Sequence, residues 1–295
     1  MRIALTGASG FIGGFIASAA RDAGHQVTPV GRANGWSLGD TPDLSGQDAL
    51  IHCAFQHVPG RYRGGEGGDP HAFRRANLSG SLRLFEAAGL AGLRVLFLSS
   101  RAVLDGWPPG SHLGEAMQPC PTTLYGEVKA LGEAGLHNLV AQGCAIRATG
   151  VYGPAPAGRD HKWAALFRDF LDGRVITPRV ASEVHGADLA QAVLLLLATP
   201  ELPRITHISD LVLDRHDLLA RVARTTGHYP GPLPDRADRT GLKLLDCAAL
   251  TRLGWRGGGW PRLDAALPGL IAQATRAGKL QARSLQRQSP GTGTS

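Results

Sequence analysis

Cysteine is scarce in this 295-residue chain. The four present, Cys53, Cys120, Cys144 and Cys247, stand far apart and form no CxxC pair. Neither zinc-ligand spacing nor a disulfide framework is offered, and isolated thiols suit a reducing compartment. Lysine is equally sparse: Lys129, Lys162, Lys243 and Lys279 are the only four among 31 basic residues, against 24 acidic ones, for a net charge of +7. The arginines that make up the remainder are spread thinly, with no basic run and no interleaved aromatics, which argues against a nucleic-acid partner. No apolar run approaches the ~18 residues of a membrane span. The N-terminus imitates a signal peptide, with Arg2, an apolar stretch and small residues from Ala17 to Ala20, but Gly7, Gly10, Gly13 and Gly14 interrupt it. The expectation is a cytoplasmic protein without metal, membrane or nucleic acid.

What is present is a globular balance: 43% apolar residues, 19% charged and 6% aromatic. A chain of this length buries roughly 75% of its extended surface without staples. The first third alternates strand and helix, the signature of a parallel sheet with crossover helices. Residues 2–6 (RIALT) read as a strand, Phe11 to Ala23 as a helix stopped by Gly24, and 26–30 (QVTPV) as a second strand. A third, weak strand is expected around Trp36 to Asp40. ALIHCA at 49–54 is apolar enough for a central strand covered on both faces. Asp69 caps a helix with Pro70 in its first position, running to about Ala88, and VLFL at 95–98 is a further buried strand.

In the second half, Thr123 to Ala141 reads as a helix and Cys144 to Arg147 as a strand. Trp163, Leu166, Phe167, Phe170 and Leu171 follow helical spacing up to Gly173. Ala187 to Ala198 is a buried helix, Ile205 to Ser209 a strand, and Asp214 opens an amphipathic helix. The expected fold is α/β: a Rossmann-type doubly wound parallel sheet over residues 1–150, with 184–210 returning to it. A smaller, mostly α portion for substrate takes 151–183 and 211–277, and 278–295 is expected to be a disordered tail.

The segment TGASGFIG at 6–13 joins the first strand to the first helix. Gly7 permits a tight turn, Gly10 lets backbone approach a pyrophosphate, and Gly13 lets helix pack on strand. The helix N-terminus then faces the phosphates with free N–H groups and its positive dipole end. At the end of the second strand an acidic residue selects the ribose 2′-hydroxyl of NAD, whereas arginine suits the 2′-phosphate of NADP. Here Val30-Gly31-Arg32 brings an arginine, and no carboxylate follows until Asp40. NADP is expected, with NAD as the alternative.

YGEVK at 125–129 places a phenol and an ammonium four residues apart, on one helix face. A free tyrosine has a pKa of about 10. An ammonium at ~4 Å favours the phenolate by up to about 4 kcal/mol before desolvation subtracts, the scale a proton-transfer catalyst needs near neutrality. Ser100 closes a sheet strand 25 residues upstream of Tyr125. Ligands of open α/β sheets bind beyond such strand ends, so its hydroxyl is placed to bond a substrate oxygen.

These residues, with LIHCA at 50–54, NLSGS at 77–81, SSRAV at 99–103, RATGVYGP at 147–154 and VHGADLA at 184–190, resemble the extended short-chain dehydrogenase/reductase superfamily, also called the NAD-dependent epimerase/dehydratase family, over about residues 1 to 275. The resemblance implies Tyr125 as general acid/base, Lys129 as pKa modulator and ribose ligand, and Ser100 as anchor of the substrate oxygen. It implies cofactor contacts near Ala54 and Asn77, and with the glycine turn and the end of the second strand the expected cofactor contacts are Gly7, Ser9, Gly10, Phe11, Ile12, Gly13, Arg32, Ala54, Asn77, Ser99, Tyr125 and Lys129. It also implies a homodimer through the helices carrying Asn77 and Tyr125.

Departures from the family pattern narrow the expected function. Its dehydratases place an Asp-Glu pair just after the serine/threonine strand, where this chain has Arg101-Ala102. Its sugar-nucleotide epimerases carry an asparagine where this chain has Gly150, and an arginine where it has Ala181, the nearest being Arg179. SSRAVLDG and RATGVYG are similar to stretches of dTDP-4-dehydrorhamnose reductases. The reading is an NADP-dependent oxidoreductase acting on a carbonyl or secondary alcohol, with sugar-like molecules among the candidates. An NAD-dependent sugar epimerase and a non-catalytic redox sensor are the alternatives. Arg61, Tyr62 and Arg63 in a Gly-rich loop, and His161, Lys162 and Trp163, are candidate substrate contacts, the loop reading more simply as solvated and Trp163 as core. His185 and Asp188 are expected to shape a helix start.

Overall fold

The structure, a computed structural model, describes residues 1–58 and 65–288. The chain divides into two compact units. The first comprises Met1–Val151, Ser182–Asp210 and Thr240–Gly257; the second comprises Tyr152–Ala181, Leu211–Arg239 and the chain from Gly258 onward.

The first unit is built on strands β1 (Arg2–Thr6), β2 (Gln26–Val30), β3 (Ala49–His52), β4 (Arg94–Ser100), β5 (Gly143–Ala148) and β6 (Ile205–Ile208). They form one sheet in the order β2-β1-β3-β4-β5-β6, parallel throughout. Every residue of β3 and β5 is buried, as strands covered by helices on both faces must be. Helices α1 (Phe11–Asp22), α2 (Pro70–Arg74), α3 (Gly80–Leu90), α4 (Leu124–Leu139) and α5 (Gly186–Ala198) cover the faces. Ile16, Ala17 and Ala20 of α1 join Ile3, Leu5 and Ile51 of the sheet and Leu189 and Val193 of α5 in one core; Leu84, Phe85 and Ala88 of α3 meet Leu50, Val95 and Phe97 on the other side. The doubly wound expectation holds. The order reverses between β1 and β3, and in such sheets that switch point is where ligands gather.

Local chemistry explains the boundaries. Asp69 caps α2 by accepting from the N–H of Ala72 at 2.9 Å, with Pro70 in the first position. A π-turn, Arg75–Ser79, links α2 to α3 without a break in the helical path. Thr123 caps α4 by accepting from Gly126 N–H at 3.1 Å, and His185 Nδ1 caps α5 from Ala187 N–H at 3.1 Å, the helix-start role expected of it.

Four expectations require correction, three of them in the first unit. The segment from Trp36 to Asp40 forms only an isolated bridge between Leu38 and Asp40. Its polar groups turn inward on themselves: Trp36 Nε1 donates to Asp40 O, and the Asp40 carboxylate accepts from Ser37 N–H, which removes them from a ladder. The strand expected to reach Ala54 stops at His52: the Cys53 N–H is shared between Thr6 O at 3.3 Å and Thr6 Oγ1 at 3.1 Å, and the Ala54 N–H turns to Thr6 Oγ1 at 3.1 Å, a side chain in place of a ladder partner. Residues 240–257 belong to the first unit, not to the substrate portion. Leu244–Leu245 pairs with His112–Leu113, and Glu115 caps the short helix Ala248–Arg252 through Ala249 N–H at 2.9 Å.

The second unit packs helices Ala164–Leu171, Arg215–Thr226 and Gly259–Gln288 around Tyr152, Trp163, Phe167, Leu219 and Leu267. The tail expected from 278 onward is helical through Gln288, where Lys, Leu, Gln, Ala and Arg are strong helix formers; residues 289–295 lie outside the described residues. Among the described residues no helix is long and apolar enough to cross a membrane.

Candidate active site

The turn after β1 leaves no space for side chains. A Cβ on Gly13 would stand 2.1 Å from the carbonyl oxygen of Gly7, and one on Gly7 would stand 2.8 Å from the nitrogen of Ala54. Gly7 also holds φ at 71°, a left-handed value that costs L residues strain. The Gly10 N–H closes the turn on Gly7 O at 2.8 Å. Gly10 is the N-cap of α1 and brings no capping side chain. The first-turn N–H groups of Phe11, Ile12 and Gly13 therefore have no capping side chain, and the helix dipole at this end favours negative charge. Ser9 is exposed at its rim. Arg32 opens a short 3₁₀ turn directly after β2, its side chain in solvent.

Tyr125 and Lys129 lie in the first two turns of α4, sharing a face as the i, i+4 spacing requires. The Lys129 side chain is buried. Its Nζ donates to Leu98 O at 2.7 Å, two residues before Ser100, and sits 4.3 Å and 4.7 Å from the ring centroids of Phe55 and Phe97. The Phe55 ring also meets Tyr125 edge-on at 5.2 Å, so a single aromatic side chain touches both members of the pair. Burial pulls the Lys129 pKa from 10.5 to about 7, opposed by the Glu133 carboxylate and by Cys53. Cys53 offers little support at neutral pH, since burial pushes its own thiol up to about 12 and leaves it uncharged.

Ser100 ends β4 and accepts from Ala102 N–H at 3.1 Å. That bond fixes the oxygen and leaves its hydroxyl proton to donate elsewhere. Ala102 in turn meets α4: a Cβ on Gly126 would stand 2.7 Å from Ala102 O, so the glycine beside Tyr125 lets the serine turn seat against the tyrosine helix. Ser99 points the other way, into the interior, donating to Glu133 Oε1 at 2.5 Å. Ala54 borders the glycine turn, and buried Asn77 holds the segment after β3: its Oδ1 accepts from Gln56 N–H at 2.6 Å, while its Nδ2 donates to Gln56 O and Phe73 O.

The structure thus brings Ser100, Tyr125 and Lys129 to one end of the sheet with the glycine turn, Ala54 and Asn77 beside them. Other candidates belong to the second unit. His161 is buried, its Nε2 against Leu270 O at 2.9 Å, and Trp163 stacks on Tyr152 at 4.8 Å within the core of the second unit. Arg61, Tyr62 and Arg63 lie outside the described residues. Among the described residues no cluster of histidine, cysteine and carboxylate is arranged to hold a metal.

Sequence reasoning missed two buried polar groups behind the site. Glu133, one turn beyond Lys129, forms an ion pair with Arg147 at 2.7 Å, both side chains nearly inaccessible. The signal was present: a third ionisable residue on the α4 face that carries Tyr125 and Lys129, opposite an arginine in an otherwise apolar strand. The other group is centred on His52 of β3, which bonds Thr6 and Ser81.

Comparison with known proteins fits this geometry. The chain is 31% identical over 205 residues to the UDP-glucose 4-epimerase of Mycolicibacterium smegmatis, which covers 59% of this chain and 64% of that one. It therefore spans somewhat less than two thirds of that curated relative's length. Its fold matches that of a UDP-glucose 4-epimerase from Thermotoga maritima with UDP-glucose (TM-score 0.75, 21% identity, 94% of this chain and 99% of the other). It also matches a dTDP-4-dehydrorhamnose reductase from Bacillus anthracis in complex with NADP (TM-score 0.74, 17% identity, 91% and 99%). Residues 3–209, most of the chain and all six strands of the sheet, match one family directly: the chain belongs to the NAD dependent epimerase/dehydratase family.

Proposed function

We propose that this protein is an NADP-dependent oxidoreductase that reduces a carbonyl, or oxidises the corresponding secondary alcohol, with sugar-like molecules as the substrate class. The observation that carries the reading is a buried lysine one helical turn from a tyrosine, both against Phe55, beside a strand end that presents Ser100. The residues fit a dinucleotide. The side-chain-free turn at Gly7 and Gly13 suits a pyrophosphate on the N-terminus of α1. Lys129, with three donors and one spent on Leu98 O, retains two for a ribose diol. Arg32, exposed after β2, suits a 2′-phosphate.

A bound nicotinamide would supply or accept the hydride. The chain's own residues handle the proton. Ser100 donates to the substrate oxygen as negative charge develops there, and Tyr125 transfers a proton to or from that oxygen. Lys129, when protonated, favours the tyrosinate. Tyr125→Phe is expected to leave dinucleotide affinity nearly intact and to lower kcat at least about a hundredfold; near-normal turnover would overturn the assignment. For the cofactor, thermal stabilisation by NADPH should exceed that by NADH, since the shift reports affinity through mass action. A shift with NADH alone would remove the argument from Arg32.

The second reading is epimerisation with tightly held NAD, favoured by the name of the Mycolicibacterium relative. Purified protein carrying non-exchanging nicotinamide, with turnover independent of added cofactor, would decide for it. Gly150 and Ala181, standing where family epimerases carry asparagine and arginine, support simple reduction instead.

A further inference from the structure

His52 lies in the middle of a buried hydrogen-bond chain whose direction follows from counting protons. Thr6 Oγ1 accepts from Cys53 N–H and Ala54 N–H, each at 3.1 Å, which fills both of its lone pairs. Its own proton must go to His52 Nδ1, 2.7 Å away. The imidazole proton is then on Nε2, which donates to Ser81 Oγ at 2.9 Å, and Ser81 donates onward to Asn77 O at 2.5 Å. Every group is satisfied in one orientation and no other. Burial holds His52 far below the usual histidine range, at about 3, so the ring stays neutral at physiological pH. The ring stacks on Phe97 at 5.5 Å and meets Phe85 edge-on at 5.6 Å.

The two ends of this chain grip the same short segment. Thr6 holds Cys53 and Ala54; Asn77 holds Gln56 by both its N–H and its carbonyl. Between them stand Ala54, against the glycine turn, and Phe55, against Tyr125 and Lys129. The Phe97 ring, stacked on the imidazole, also lies 4.7 Å from the Lys129 Nζ and so connects the two. His52 itself is 1% exposed and reaches no ligand.

We propose that His52 is a positioning residue: acting through Thr6 on one side and Ser81 and Asn77 on the other, it sets the Cys53–Gln56 segment at the height that dinucleotide binding requires. The inference rests on the dinucleotide reading of the site above and adds to it a residue and a mechanism. In a low-dielectric interior, a network with one proton arrangement is stiff, and a broken one leaves hydroxyls without partners.

Three variants of the full chain test it, with NADPH and NADH as the probes and dissociation constants from fluorescence titration. His52→Phe keeps a flat ring between Phe85 and Phe97 but removes both nitrogens; it should weaken binding of the preferred dinucleotide at least tenfold. Ser81→Ala removes one arm and should weaken it three- to tenfold, while the ligand-free Tm stays within a few degrees of the parent. His52→Asn, whose amide oxygen reaches the position of Nδ1, should fall between parent and His52→Phe. A merely structural role would lower Tm and leave the dissociation constants alone, and that result overturns the proposal. Should His52→Phe fail to fold, Ser81→Ala decides by the same criterion. If the parent protein binds neither dinucleotide, the functional reading itself has failed; if the parent binds and the variants match it, only the role of His52 has.

Discussion

Lys129 offers a test of the site that needs no substrate. Its amine is buried, and burial pulls its pKa from 10.5 to about 7. The folded chain therefore holds this proton less tightly than the unfolded chain does. Below about pH 7 both states carry the charge, and folding bears the whole desolvation penalty. Between pH 7 and 10.5 the folded lysine becomes neutral while the unfolded one stays charged, so stability rises with pH across that window. At about 1.4 kcal/mol per tenfold change in proton affinity, the penalty at low pH is roughly 5 kcal/mol. Replacing Lys129 by methionine removes it and sacrifices one hydrogen bond to Leu98 O, worth about 1 kcal/mol. The net gain of about 4 kcal/mol corresponds to roughly 8–12 °C in Tm for a chain of this size. Lys129→Met should thus melt above the parent at pH 6 and lose that advantage by pH 10, measured by thermal scans of ligand-free protein across that range. Other titrating groups are common to both proteins and cancel in the difference. A variant less stable than the parent at pH 6, or a gap that does not change with pH, would show that Lys129 is no desolvated cation.

Two further substitutions examine the frame of the site. Gly13→Ala places a methyl 2.1 Å from Gly7 O, a distance no backbone tolerates; stabilisation by NADPH or NADH in a thermal-shift assay should disappear, and a retained shift would refute the glycine cradle. Glu133→Ala leaves the Arg147 guanidinium buried without its anion and should cost about 3–5 kcal/mol in urea unfolding. Adding Arg147→Met should restore part of that loss; equal stability of the single and double variants would mean that the stranded charge is not the cause.

The parallel sheet and the Tyr125–Lys129 pair were legible because each rests on a short-range rule. Strand and helix periods show in the apolar pattern, and i, i+4 spacing puts two side chains on one face wherever the helix goes. The N-caps at Asp69 and Thr123 and the glycine turn depend on residues within a few positions of one another, and they lie where local chemistry puts them. What escaped reading depends on partners distant in sequence. LIHCA is apolar enough to predict a buried strand, but nothing local says that its histidine bonds a threonine 46 residues earlier and a serine 29 residues later. The weak strand at Trp36–Asp40 fails for the opposite reason: hydrogen bonds within the segment outcompete the ladder. Residues 240–257 could not be assigned from spacing, because they rejoin the first unit through two-residue pairing and one capping carboxylate.

The same structure bears on which reaction this site can support. Elimination of water needs an acid and a base beside the substrate, at the positions where this chain has Arg101 and Ala102. Arg101 pairs with Asp105 at 3.1 Å, one turn along. Ala102 is completely buried, its carbonyl packed where Gly126 makes room for it. One position is thus cationic and the other is a methyl group facing the interior, so neither can take up or release the protons of an elimination. On the proposed reading Ser100 and Tyr125 are the groups that act on the substrate oxygen, and that pair suffices for a reaction in which one hydride and one proton move. An epimerase draws on the same pair but must also let the oxidised sugar turn over before the hydride returns. That additional demand falls on substrate contacts rather than on the acid–base set, which is why cofactor exchange, not Tyr125 chemistry, separates the two remaining readings.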